Sequence, residues 1–174
     1  MNALIKITSG TLRGRSLKSP NSKFTHPMGS REKLALFNML ADNLPGAKVL
    51  DAYAGSGALG IEALSRGARE IVFVEKDTKT CKIIRENLKS LGLSAEVITS
   101  NVVDFAGSVS FDIVIADPPY DKFEAAEIQH LSNFLKREGV LVLSHPENAP
   151  EFTGLELIKS RQYAGARLSV YVKR

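Results

Sequence analysis

The sequence has one cysteine, Cys81, and no tryptophan among 174 residues. A lone cysteine excludes an intrachain disulfide, and no CxxC pair or Cys/His cluster has zinc-ligand spacing, so no metal is expected. No apolar run approaches the ~20 residues of a membrane span. The first residues lack the apolar core of a secretory signal. A cytoplasmic protein with no membrane partner is the expectation. Internal repeats and low-complexity linkers are missing as well, so a modular array is excluded. What is present is an ordinary globular composition, 44% hydrophobic and 24% charged. A chain of this length forms one domain and can bury a core without covalent staples.

The net charge is only +4, but it is unevenly spread. Residues 1–33 hold seven Lys/Arg against one acid, Glu32, a net +6. Residues 158–174 hold five bases and no acid. The stretch between them holds 18 acids against 11 bases, a net −7. Basic segments on a globular domain are the electrostatic footprint of polyanion binding. The alternative is a solvated surface with chance clustering.

Residues 4–8 and 12–17 read as two short strands joined through Ser9-Gly10, a basic β-hairpin. Residues 18–29 read as loop. A helix starts near Ser30 as its N-cap, with Leu34, Phe37, Leu40 or Ala41, and Leu44 on one buried face. Pro45-Gly46 ends it. Strands and helices then alternate. Strands are expected at 48–52, 71–75, 96–99, 111–116 and 140–144. A glycine-rich turn running into a helix is expected over 55–66, and helices at 78–91 and 124–137, the last with Ile128, Leu131 and Leu135 in line. Two more strands, 155–161 and 167–172, flank the turn Tyr163-Ala164-Gly165. Strands apolar on both faces imply a mostly parallel sheet covered on both sides. The closing strand pair implies an antiparallel hairpin at its edge. Cys81 falls on the apolar face of the 78–91 helix and reads as core.

Asp51-Ala52-Tyr53-Ala54-Gly55-Ser56-Gly57-Ala58-Leu59-Gly60 places GxGxxG between a strand and a helix. Such glycines allow a tight turn and close backbone approach to a ligand, and the helix start beyond offers unpaired N–H groups. Glu75 ends the next strand, where a carboxylate accepts ribose hydroxyls. A nicotinamide fingerprint reaches its first glycine directly after the strand. Here Asp51 ends the strand and Gly55 follows later, which suits a cofactor with a cationic end better than a pyrophosphate. Asp117-Pro118-Pro119-Tyr120 then follows the 111–116 strand. An acceptor side chain, a carbonyl fixed by two prolines and an aromatic ring make a site for a planar amine. Ligands of open α/β sheets sit at the carboxyl ends of strands, so Asp51, Glu75 and Asp117 are expected to converge.

These residues bring out a family resemblance. The chain resembles the class I S-adenosylmethionine-dependent methyltransferases, and within them the family that methylates N2 of a guanine in small-subunit (16S) ribosomal RNA. The likeness covers nearly the whole chain. It runs through Gly10-x-x-Arg13-Gly14-Arg15-x-Leu17, His26-Pro27, Leu36-Phe37-Asn38, Asp51–Gly60, Glu62-Ala63-Leu64-Ser65-Arg66-Gly67-Ala68, Val74-Glu75-Lys76-Asp77 and Asp117–Tyr120. The resemblance implies a Rossmann-like α/β fold with a seven-stranded, mostly parallel sheet, helices on both faces and a reversed last hairpin. A basic hairpin and loop over residues 1–29 would precede a methyltransferase domain over 30–174. It implies S-adenosylmethionine held by Asp51, Tyr53, Gly55, Ser56, Gly57, Gly60, Glu75, Lys76, Asn101 and Val102. Asp117, Pro118, Pro119 and Tyr120 would serve the amine. Arg13, Arg15, Lys18, His26 and Arg31 would meet the RNA, naked or within a small subunit or its assembly intermediate, with the protein a monomer.

Four positions depart from the family pattern. Asn101 stands where an acid is usual, His26 and Met28 where Arg-Pro-Thr is usual around Pro27, and Leu34 where a Glu is usual. His145 reads as structural, and His26 as either an RNA contact or a loop cap. The competing functions are adenine-N6 methylation, a nicotinamide-dependent oxidoreductase using the same glycine loop, and a non-catalytic RNA-binding assembly factor.

Overall fold

A computed structural model describes residues 4–20, 28–107, 110–163 and 165–174. His26, Pro27 and Ala164 lie outside them. The N-terminal hairpin consists of β1 (Leu4–Lys6) and β2 (Ser16–Lys18). Then follow α1 (Ser30–Met39), β3 (Lys48–Asp51), α2 (Ala58–Ser65), β4 (Glu70–Glu75), α3 (Thr78–Leu91) and β5 (Glu96–Thr99). β6 (Phe111–Ala116), α4 (Ala125–Ser132), β7 (Leu135–His145), β8 (Leu155–Gln162) and β9 (Arg167–Lys173) complete the chain. The seven-stranded sheet has the order β5-β4-β3-β6-β7-β9-β8, with β9 antiparallel to both neighbours. The expected mostly parallel sheet with a reversed final hairpin is therefore present.

Side chains alternate between the two sheet faces, as the pleat requires. Val49, Ile71, Phe73, Ile113, Ile115, Val142 and Leu168 pack on one face with α1, α2, α3 and the hairpin residues Ile7 and Leu17. Leu50, Val72, Val74, Val114, Leu141, Leu143 and Tyr171 pack on the other, with Ile128 and Leu131 of α4. α3 is capped by Asp77, whose carboxylate accepts from the Thr80 amide at 2.7 Å, and it stops at Gly92 in the left-handed region. Cys81 is buried on its inner face, with its thiol donating to the Glu75 carbonyl.

Several expected boundaries move. The hairpin strands are shorter than 4–8 and 12–17, because residues 10–14 form a broad turn closed by Gly14 N–H to the Ile7 carbonyl at 2.9 Å. The α2 helix begins at Ala58, after the expected glycine-rich turn that ends in Gly57 at φ 80°. The α4 helix ends at Ser132, and Leu135 belongs to β7, opposite Phe111, rather than to the helix. A β-bulge follows, with Glu138 at φ 62°, before Val140 rejoins β6. Ser30 is not the cap of α1; Gly29 takes that place in extended conformation with no side-chain bond. Leu34 is 47% exposed, and Lys33, 4% exposed, sits on the core face with Leu36 and Phe37.

Lys33 is buried because its partners are buried with it. Its ammonium donates to the Lys6 carbonyl at 2.7 Å and lies 3.3 Å from Glu62 of α2. Glu62 has no solvent exposure. Its carboxylate accepts from the Thr8 amide (2.9 Å), the Thr8 hydroxyl (2.8 Å), the Ser9 amide (3.0 Å) and Arg66 Nε (2.9 Å). Ser65 continues the seam: its carbonyl accepts from the Thr11 amide at 2.8 Å and its hydroxyl from the Leu12 amide at 2.9 Å. Gly10 is at φ 81°, and a Cβ there would fall 1.7 Å from the Ser65 carbonyl oxygen, so only glycine lets the turn close on α2. Burial alone would raise the Glu62 pKa, but the bonds from Thr8 and Arg66 and the charge on Lys33 outweigh it and hold the carboxyl below its usual range.

Replacing Glu62 with alanine strands Lys33 without a counter-charge and leaves the Thr8 and Ser9 amides without their acceptor. A loss of about 3–5 kcal/mol in urea unfolding is expected. Because the folded pKa is depressed, wild-type stability from this group is full above the unfolded value. It is lost as pH falls through the folded value. The Glu62→Gln variant should therefore shed most of that acid dependence.

Candidate cofactor and amine site

Asp51, Glu75 and Asp117 stand at or just beyond the carboxyl ends of β3, β4 and β6, which are neighbours in the sheet. All three continue the same face of the pleat, the one covered by α1, α2 and α3. They do converge. Asp51 is 1% exposed, and its carboxylate accepts from the Gly60 amide at 2.9 Å. Burial pushes its pKa up to about 7, and the charges of Asp117 and Glu75 add to the rise against the lowering effect of the Gly60 bond. Burial likewise lifts Asp117 to about 6, with the Ser144 hydroxyl pulling the other way. Glu75 accepts from the Gly55 amide (3.0 Å) and the Asp77 amide (2.9 Å), which fixes its carboxylate beside the glycine loop.

Three carboxylates at one strand edge make a site that disfavours anions and favours a cation. This chemistry fits the sulfonium and ammonium of S-adenosylmethionine and does not fit a pyrophosphate. Asp51, the 55–57 turn and Glu75 are the residues that could hold such a cofactor, with Glu75 bonded to the Gly55 amide at 3.0 Å. Gly60 plays a different part. A Cβ there would come 2.3 Å from the Phe73 ring, so its bareness lets α2 pack on β4, and its amide serves Asp51. Ser56 is buried with its carbonyl held by Asn87 at 3.0 Å. Tyr53 is tied to α4 through Glu127 at 2.6 Å. Lys76 is exposed beside Glu75. Beyond β5, Asn101 is exposed and its amide donates to Asp104 at 3.1 Å, while Val102 is buried.

In the amine segment Pro118 is buried and Pro119 and Tyr120 are exposed at the mouth. The Tyr120 hydroxyl lies 2.5 Å from Ser144 Oγ at the end of β7. Ser144 was not legible as a site residue, since only the β6–β7 register brings it there. His145 is buried against Ser169 at 2.8 Å, in keeping with a structural role. Of the basic residues, Arg13 is exposed in the hairpin turn and Arg31 at the start of α1. Arg15 donates to the Ser90 carbonyl at 3.3 Å and Lys18 pairs with Glu86 at 2.9 Å, so both lie along α3. There they meet a basic row that the acidic centre of the sequence hides: Lys76, Lys79, Lys82, Arg85 and Lys89 are all exposed. The basic residues of β8 lie on the far sheet edge, away from this row.

The raised Asp51 pKa has a thermodynamic consequence. Between the unfolded pKa of 3.8 and the folded value of about 7 the native state binds the extra proton, so this group costs stability as pH rises through that window. Asp51→Asn keeps an acceptor for Gly60. It should melt at higher temperature than wild type at pH 8, with the gap closing toward pH 4 in calorimetric scans. It should also bind a cationic ligand more weakly.

A family model described as "Conserved hypothetical protein 95" matches residues 5–172. Ribosomal RNA small subunit methyltransferase D of Haemophilus influenzae is 37% identical over 161 residues, 86% of this chain and 82% of that protein. The solved structure of hypothetical protein TTHA0928 from Thermus thermophilus shares 33% identity. Its TM-score is 0.83, over 95% of this chain and 98% of that one. Magnesium protoporphyrin IX methyltransferase from Synechocystis, solved with bound SAM, shares the fold at 18% identity, with a TM-score of 0.66 over 82% of this chain and 80% of that one. With the fold, the glycine loop and the Asp-Pro-Pro-Tyr segment in place, the chain belongs to the family of the small-subunit ribosomal RNA methyltransferase D proteins.

Proposed function

We propose that the protein transfers a methyl group from S-adenosylmethionine to the N2 amine of a guanine in small-subunit ribosomal RNA. The coarser part of this reading, an S-adenosylmethionine-dependent rRNA methyltransferase, follows from family and fold. The finer part rests chiefly on one observation: Asp117-Pro118-Pro119-Tyr120 projects from β6 beside the three-carboxylate edge. Adenine-N6 chemistry would use the same acceptors, and the choice of guanine rests on the resemblance read in the sequence.

S-adenosylmethionine, when bound, supplies an electrophilic methyl group. The protein's own residues do the rest. An exocyclic purine amine is a poor nucleophile because its lone pair is delocalised into the ring. The Asp117 carboxylate and the Pro118 carbonyl each accept one amine hydrogen, which favours the rehybridised amine. Holding the amine in line contributes much of the acceleration. The amine becomes acidic only as its new bond forms, and Asp117, poised near pH 6, accepts the proton at its carboxylate. Tyr120, exposed at the mouth, stacks on the base and offsets the few kcal/mol of unstacking. Arg13, Arg15 and Lys18 grip phosphates, with Lys79, Lys82 and Lys89 of α3 extending the track and Arg31 nearer the mouth. A cytoplasmic monomer is part of the same proposal.

Labelled methyl transfer should appear in small-subunit RNA, on guanine, with preparations lacking this modification. Transfer to DNA alone overturns the reading. Asp117→Ala should abolish transfer and leave cofactor affinity nearly unchanged in calorimetry. For wild type, kcat/KM should rise between about pH 5 and about pH 8 as the raised carboxyls ionise, and flatten above.

Neutralising Arg13, Arg15 and Lys18 together should weaken RNA binding. The slope of log K against log salt should drop by about 2, since each contact to single-stranded RNA releases roughly 0.7 counterion. Filter binding across a salt series checks this, with cofactor affinity as the control.

A further inference from the structure

We infer that Ser144 is a positioning residue of the methyl-transfer site, the fixed point that sets Tyr120 and Asp117 relative to each other. The inference rests on the proposed amine chemistry and deepens it. The first support is register. β6 and β7 run parallel with Ala116 opposite Leu143, so the next residues along, Asp117 and Ser144, are side by side at the carboxyl edge. Both continue the pleat face of Ile115 and Val142, the face on which Asp51 also stands. The second support is the contact itself. The chain leaves β6, passes the two prolines and returns the Tyr120 hydroxyl to 2.5 Å from Ser144 Oγ.

Among the described residues Ser144 is the one side chain hydrogen-bonded to the Tyr120 hydroxyl. Tyr120 begins a single 3-10 turn, Tyr120–Lys122, that has no buried residue and no side-chain cap. A phenol on such a turn would sample several rotamers. Ser144 is the opposite kind of group: it has no solvent exposure and sits within the longest strand, paired on both sides. A serine hydroxyl has one donor and two acceptor positions. With the Tyr120 hydroxyl donating to Ser144 Oγ, the Ser144 proton is left to give to Asp117, its neighbour across the β6–β7 register. This relay fixes the ring that stacks on the base and the carboxylate that accepts from its amine as one unit. Ser144 itself touches neither reacting atom. The lowering effect of Ser144 on the Asp117 pKa accords with the second link.

The test is a double-mutant cycle of Ser144→Ala and Tyr120→Phe, which remove the two hydroxyls without enlarging either side chain. Each single variant should lower kcat about tenfold, the worth of one hydrogen bond near 1.4 kcal/mol, with cofactor affinity within about twofold of wild type. The double variant should be no worse than Ser144→Ala alone, because that variant already breaks the bond that Tyr120→Phe removes. Ser144→Thr, which restores the hydroxyl, should recover activity. Additive losses, or an unaffected Ser144→Ala enzyme, overturn the inference. A readout without substrate separates this from the choice of RNA target. In protein with ring-labelled tyrosine, the signal lost in Tyr120→Phe identifies Tyr120 among four tyrosines. Ser144→Ala should shift and average that signal and leave the other three in place. An unmoved signal sinks the tether even if rRNA proves to be the substrate. A moved signal in a protein inactive on rRNA keeps the tether and refutes the target.

Discussion

A carboxylate sealed from water and shared by three segments holds this molecule's parts in register. Glu62 takes bonds from Thr8 and Ser9 of the hairpin and Arg66 at the end of its own helix, and lies beside Lys33 of α1. A buried ion cluster is weak support for stability by itself, because desolvation consumes much of the Coulombic gain. Here the cluster acts through its directionality. Apolar packing would let the hairpin slide on α2, whereas hydrogen bonds from two consecutive residues admit one position. Gly10 pressed on the Ser65 carbonyl and Ser65 bonded to Ser9 and Leu12 repeat the same constraint a turn further on.

A second charge arrangement has the opposite energetic sign. Asp51 and Asp117 are carboxylates the fold would sooner keep neutral, as their raised pKa values show. The site thus stores unfavourable desolvation and like-charge repulsion that a cationic ligand relieves. Stability concentrated in the Glu62 seam and cost concentrated at the carboxyl edge are complementary. The first fixes α2, and α2 carries the Gly60 amide that steadies Asp51.

The strands and the glycine loop were legible because doubly buried parallel strands read as continuous apolar runs and because Asp51, Glu75 and Asp117 mark strand ends in one dimension. The errors have equally local causes. Leu135 keeps helical spacing with Ile128 and Leu131, so periodicity extends α4 into what is β7. Lys33 counts as solvent-facing in any hydrophobic pattern, and Leu34 as core. Only the tertiary partner Glu62 inverts the two. Gly60 reads as part of the glycine loop, and what the sequence leaves out is the Phe73 ring that a Cβ there would meet at 2.3 Å. Ser144 carries no motif at all, and its nearness to Tyr120 follows from strand register.

The seam between hairpin and α2 also bears on how such a protein can diversify. A surface element joined by a slack linker can be exchanged or lengthened without disturbing the body it is attached to. This hairpin cannot, because its turn is mortised into the helix that shapes the cofactor loop. Replacement of the whole element would unseat Lys33 and Glu62 together. Change is free of that constraint only on the outer rim, where Arg13 and the lysines of α3 are exposed and can be exchanged one side chain at a time.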